Sequence, residues 1–279
     1  MRRLIKVTLF CLVLSSPLLA SEFAFGDIIQ PIIPGDYNGD GASDIVWRDT
    51  FGGVYLRQMN GGTIGDDSFI ANMRTNWMIV GSGDFNGDGK ADILWRSLSG
   101  DVALWLMDGA SITKNSTIAN IWTDWKIVGT GDFNGDRRAD ILWRDSAGDV
   151  AVWLMDGVNI TSATTIANVW PGWTIVGTGD FNGDGKADIL WRSISGDVAV
   201  WLMDGVNITS ATTIANVWPG WTIVGTGDFN ADGKADILWR TAPAQTCFLC
   251  PLHSSVTIWL MDGTALLTHL DFEIVEETC

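Results

Sequence analysis

Histidine is nearly missing from this chain: His253 and His269 are the only two in 279 residues. Neither has zinc-type spacing, and no HExxH, G-x-S-x-G or Walker phosphate loop occurs, so those hydrolase, metalloprotease and nucleotide-binding signatures are excluded. Basic residues are also scarce. Seventeen Lys and Arg face 33 Asp and Glu, a net charge of −16. That sign repels phosphate backbones and anionic lipid, which argues against nucleic acid as a partner. Apart from Val7–Leu14 the sequence lacks a long apolar run, and that one is short of the ~20 residues a bilayer span needs. No membrane insertion is expected once the leader is removed.

The leader itself is legible. Arg2, Arg3 and Lys6 precede the apolar run, and Ser15, Ser16 and Pro17 lead to a cleavage position after Ala20. Residues 1–20 are therefore expected to be a signal peptide, and the mature chain to be secreted, extracellular or periplasmic. Cleavage removes Cys11 and leaves Cys247, Cys250 and Cys279 in an oxidising compartment. Cys247 and Cys250 suit a local disulfide staple, while Cys279 is either free or paired with one of them.

What the sequence has in abundance is itself, repeated. The segment GDYNGDGASDIVWR places its first Asp at 36, and related segments place theirs at 84, 132, 180 and 228, a period of 48 residues. Residues 148–182 and 196–230 are identical. Each unit carries four short strand-like runs separated by Gly, Asp, Asn and Pro, with no amphipathic helical period. Four antiparallel strands per unit predict one propeller blade. The fold class is therefore all-β, a β-propeller of about five four-stranded blades at 27–72, 77–120, 125–168, 173–216 and 221–270. The Gly-rich WTIVGTG run is placed innermost, and 271–279 is expected to supply a closing strand or the start of a sixth blade.

Tryptophan recurs with the same period. Trp47, Trp95, Trp143, Trp191 and Trp239 share one position, and Trp105, Trp153, Trp201 and Trp259 share another, where the first unit has Arg57. These nine are predicted to pack between blades. A further set, Trp122, Trp170 and Trp218, lies at turns and has two readings: rings that stack on a sugar, or caps over blade ends.

The acidic loop reads D-x-N-x-D-G-x-x-D. Its side-chain donors are Asp36, Asn38, Asp40 and Asp44; Asp84, Asn86, Asp88 and Asp92; Asp132, Asn134, Asp136 and Asp140; Asp180, Asn182, Asp184 and Asp188; and Asp228, Asn230, Asp232 and Asp236. Position seven, held by Ala42, Lys90, Arg138, Lys186 and Lys234, offers a backbone carbonyl. Hard oxygens in this number predict Ca²⁺, up to five ions, rather than Mg²⁺. Three carboxylates ~5 Å apart would repel by about 3 kcal/mol per pair at an effective dielectric of about 20, which a cation relieves. An EF-hand is excluded, because position twelve is Trp in every unit. Arg137 replaces the turn glycine of the third loop and should weaken it; Ala231 in the fifth loop reads as a milder change.

These loops, with the GDFNGDGKADILWR core, resemble the FG-GAP/VCBS repeat family over nearly all of residues 35–275. The resemblance implies a propeller with calcium between the first two strands of each blade, as in integrin α-chains and propeller lectins, and a role in binding or adhesion. Five units stand here where seven are common. The expected function is non-catalytic: a secreted calcium-binding module for an extracellular protein or glycan. A lectin using Trp122, Trp170 and Trp218, a structural domain, and a carbohydrate-active enzyme with scattered aspartates are the alternatives.

Overall fold

The computed structural model describes residues 33–60, 63–242 and 252–276. They form five separate four-stranded antiparallel sheets, each built from four consecutive strands. In blade two the strands are Trp77–Gly83, Asp92–Ser97, Asp101–Asp108 and Ser111–Asn120. The first strand of each blade packs beside the first strand of the next, from blade one through blade five, so the Gly-rich run is innermost as expected. This is a five-bladed β-propeller.

Small residues explain how closely the blades meet. A methyl group on Gly83 would fall 2.6 Å from Cβ of Ala139 in the next blade, and Gly131 and Gly179 face Ala187 and Ala235 at the same distance. Backbone bonds cross each of these junctions. Ala139 N–H donates to Asp84 O at 2.6 Å, and Gly157 N–H donates to Phe85 O at 2.8 Å. Between the sheets lies the core. Phe85, Leu94, Val102 and Leu104 of blade two meet Ile141, Trp143, Ala151 and Trp153 of blade three, and equivalent layers fill the other junctions. Burying such rings contributes about 25 cal/mol per Å² of apolar surface.

An arginine ladder runs through these layers. The guanidinium of Arg96 stands 5.1 Å from the Trp143 ring, Arg144 5.0 Å from Trp191, and Arg192 4.8 Å from Trp239. Each also donates to carbonyls of the linker leaving its own blade, as Arg96 Nη2 does to Ile121 O at 2.8 Å.

The two end blades differ from the middle. On blade one Arg57 pairs with Asp67, and Trp47 stacks on Tyr55, which meets the half-exposed Phe69. On blade five Phe229 is 40% exposed, where Phe85, Phe133 and Phe181 are fully buried. The closing strand expected at 271–279 is corrected: residues 271–276 are the end of the outer strand of blade five, Ala265–Glu276, with Asp271 opposite Thr257 and Phe272 opposite Val256. The third strand of that blade begins early, at Leu252, and offers the outer strand a longer partner. Residues 1–20, read above as a leader, and Cys247, Cys250 and Cys279 lie outside the described residues.

Candidate metal loops and binding clefts

Each acidic loop joins the first and second strands of its blade and folds around its first aspartate. In blade two, Asp84 Oδ1 accepts from Gly87 N–H and Asp88 N–H at 2.7 and 3.1 Å, and Asp84 Oδ2 accepts from Gly89 N–H at 2.7 Å. Asn86 Oδ1 accepts from Asp88 N–H, and Asp88 Oδ1 accepts from Lys90 N–H. The turn thus gathers positions one, three and five. The same bonds recur around Asp36, Asp132 and Asp180, and most of them around Asp228.

Position nine goes elsewhere. Asp92 is fully buried; its Oδ2 accepts from Phe85 N–H at 2.9 Å and its Oδ1 from Met107 N–H at 2.8 Å. Asp44, Asp140, Asp188 and Asp236 are held alike, by Met59, Met155, Met203 and Met261. Burial pushes the carboxyls of Asp92, Asp140 and Asp188 up to about 7, against the pull of those two N–H donors. Among the described residues no group of three His, Cys, Asp or Glu converges closely enough to hold a metal ion. The donors that each loop gathers are oxygens only, two carboxylates and an amide, which suits a hard cation in kind. The inward aspartate leaves the set one side chain smaller than the spacing suggests.

The side chains at position seven carry a function the sequence reading missed. Lys90 Nζ donates to Asp108 Oδ1 at 2.5 Å, and Arg138, Lys186 and Lys234 reach Asp156, Asp204 and Asp262. Their stems lie beside Gly39, Gly87, Gly135 and Gly183 of the preceding loop. With the turn N–H groups, these cations offset part of the repulsion that bare carboxylate spacing implies. Backbone strain is also shared more evenly than expected. Arg137 has φ 67° and Ala231 has φ 62°, so Ala231 sits in the left-handed region as firmly as Arg137 does.

Trp122, Trp170 and Trp218 stand on the linkers between blades, 84%, 63% and 73% exposed. The rings of Trp170 and Trp218 lie across Gly172 and Gly220, where no Cβ could fit. None of the three lines the tryptophan clefts found in blades two, four and five. Those clefts open where the linkers after blades one, three and four meet the next blade. One of about 430 Å³ is lined by Met73, Arg74, Trp77, Trp105, Ser116 and Thr117. In blade four the corresponding cleft has Val169, Trp173, Trp191, Trp201, Thr212 and Thr213, and in blade five Val217, Trp221, Trp239, Trp259, His269 and Asp271. Trp201 and Trp259 tilt against their second-strand partners with ring centroids 4.8 Å apart. Sequence reasoning assigned these rings to the core alone. The recurring W-x-x-W spacing was the available signal, since it brings the second ring back onto the blade.

Comparison with known proteins supports the architecture. A search of curated proteins returns no match. Among solved structures, SapL1 lectin in complex with alpha methyl fucoside aligns with a TM-score of 0.53 at 14% identity, over 89% of this chain and 83% of that one. AofleA from Arthrobotrys oligospora aligns with a TM-score of 0.51 at 12% identity, over 91% and 78%. At these identities the likeness is one of fold. The FG-GAP-like repeat pattern matches four overlapping times, at 36–95, 84–143, 132–191 and 180–239, and the chain belongs to that family.

Proposed function

We propose that this propeller is an exported, calcium-loaded binding module that takes glycans in the repeated tryptophan clefts between its blades. The observation that carries the reading is recurrence: the same pair of indole rings walls clefts in blades two, four and five, backed on the outer strand by Ser116 and Thr117, by Thr212 and Thr213, and by His269 and Asp271. A pyranose offers one flat apolar face to a ring and hydroxyls to the neighbouring polar side chains, and such shallow, partly polar recesses suit it. The polar groups differ between clefts, with Arg74 in one and His269 and Asp271 in another, so the clefts would bind one sugar with unequal strength.

Calcium would be held by positions one, three and five of each loop, with water and carbonyl oxygens completing the shell. When bound it neutralises the carboxylates at one end of every blade and fixes the first two strands. Its role here is structural, and no chemistry on the ligand is assigned to it.

A glycan array read with labelled protein, in calcium and again in chelator, tests the reading. Binding to a restricted set of sugars, weakened by chelation, is expected. A folded, calcium-treated protein that binds none of them would overturn it. A protein partner captured alongside a silent array would move the function to protein adhesion.

A further inference from the structure

The most exposed large apolar side chains are not scattered over this molecule. In a sheet of four consecutive antiparallel strands, the turn between strands two and three and the linker leaving strand four lie at one end, opposite the acidic loop. Phe51, Leu98 and Ile194 occupy those turns, and Trp122, Trp170 and Trp218 occupy three successive linkers. All six are at least 63% exposed. One end of the propeller therefore carries a broken ring of apolar tips.

The tips are rigidly mounted. Leu98 N–H donates to Asn76 O and Ile194 N–H to Gly172 O, each at 2.8 Å, which ties turn to linker. Arg96, Arg144 and Arg192 donate to the carbonyls of Trp122, Trp170 and Trp218 from beneath. Little conformational entropy remains for these groups to lose on docking.

Charge separates the two ends. The motif aspartates crowd the loop end. At the apolar end Asp49, Asp101 and Asp145 each stand beside a guanidinium, of Arg48, Arg96 and Arg144. Among the described residues that end mixes acids with guanidiniums and carries no basic cluster of the kind that selects anionic lipid.

We propose that this apolar end docks on the headgroup region of a neutral lipid bilayer, with Trp122, Trp170 and Trp218 as its principal anchors. The tips sit on separate blade junctions, so a flat, laterally uniform surface meets them together. Indole rings favour the boundary between water and hydrocarbon. The overall charge of −16 does not oppose this, because the acidic loops face away from such a surface. The docking is peripheral: each tip reaches the interface and no strand crosses it.

The test mixes the full chain with phosphatidylcholine vesicles carrying brominated acyl chains and reads tryptophan quenching and flotation. No tryptophan precedes Trp47, so the N-terminal leader is silent in the quenching signal. The vesicles carry no sugar, so the result is independent of the clefts. Quenching that persists at high salt is expected. The variant Trp122→Ser/Trp170→Ser/Trp218→Ser should lose most of it and partition more than tenfold more weakly. Leu98→Ser/Ile194→Ser should partition several-fold more weakly, and both variants should keep the parent's circular dichroism and melting temperature. The proposal is overturned if the folded parent shows no quenching, if the triple variant partitions like the parent, or if association is confined to anionic vesicles at low salt.

Discussion

The carboxylate of Asp92 accepts a hydrogen bond from the backbone N–H of Met107, fifteen residues along the chain and on the third strand of the same blade. With the second bond from Phe85 N–H, it closes the root of the acidic loop against the sheet. An aspartate that reads as a calcium ligand is thereby a structural acceptor, and its replacement should be felt with or without metal.

Asp92→Ala leaves two buried N–H groups without an acceptor, at roughly 1–3 kcal/mol each. Urea denaturation should therefore show a loss of about 2–6 kcal/mol in chelator as well as in calcium. Asp88→Ala, on the exposed turn, should stay within about 1 kcal/mol of the parent in chelator and lose only the second loop's share of the calcium response. Equal losses in chelator for the two variants would contradict this division of roles.

The buried aspartates also set a pH dependence. Their folded-state values of about 7 for Asp92, Asp140 and Asp188 lie above the ordinary carboxylate value, so folding favours the protonated form. That contribution is fully present below pH ~4 and is lost as pH rises through about 7. Asp101 and Asp197, held below the usual range chiefly by Asn120 and Asn216, act in the opposite sense but only in more acid solution. Melting in chelator should fall between pH 5 and 8, and calcium should flatten the profile. A melting temperature that climbs over this window in chelator would be the wrong sign.

Two non-glycine residues hold left-handed backbone in the loops. Arg137→Gly and Ala231→Gly should each stabilise the protein by about 1 kcal/mol, the strain of φ > 0 less the added freedom of the unfolded chain. Denaturation midpoints of the two variants check this, and a loss of stability in either would show that the strain is absorbed elsewhere.

Much of this architecture was legible in the sequence, for a physical reason. A period of 48 with four strand-like runs fixes blade number and strand order, and inner-strand glycines announce close approach. The outer limit of blade five was not legible, because the insertion before Leu252 lengthens the third strand and so captures residues 271–276. Ala231 looked mild because its φ cannot be read from its type. The direction of Asp92 was hidden as well: D-G-x-x-D spacing permits either a loop-facing or an inward carboxylate, and only the N–H groups of Phe85 and Met107 decide. The clefts lie between linkers and third strands 28 residues downstream, as with Trp173 and Trp201, a contact that local pattern does not reveal.

The account rests on one cleft used several times. Isothermal titration with a glycan bound on the array measures this directly, as the number of sites per chain in calcium. We expect more than one site, with Trp201→Ala and Trp259→Ala each removing binding at its own cleft while the protein stays folded. A single site, or a stoichiometry untouched by either substitution, would contradict it.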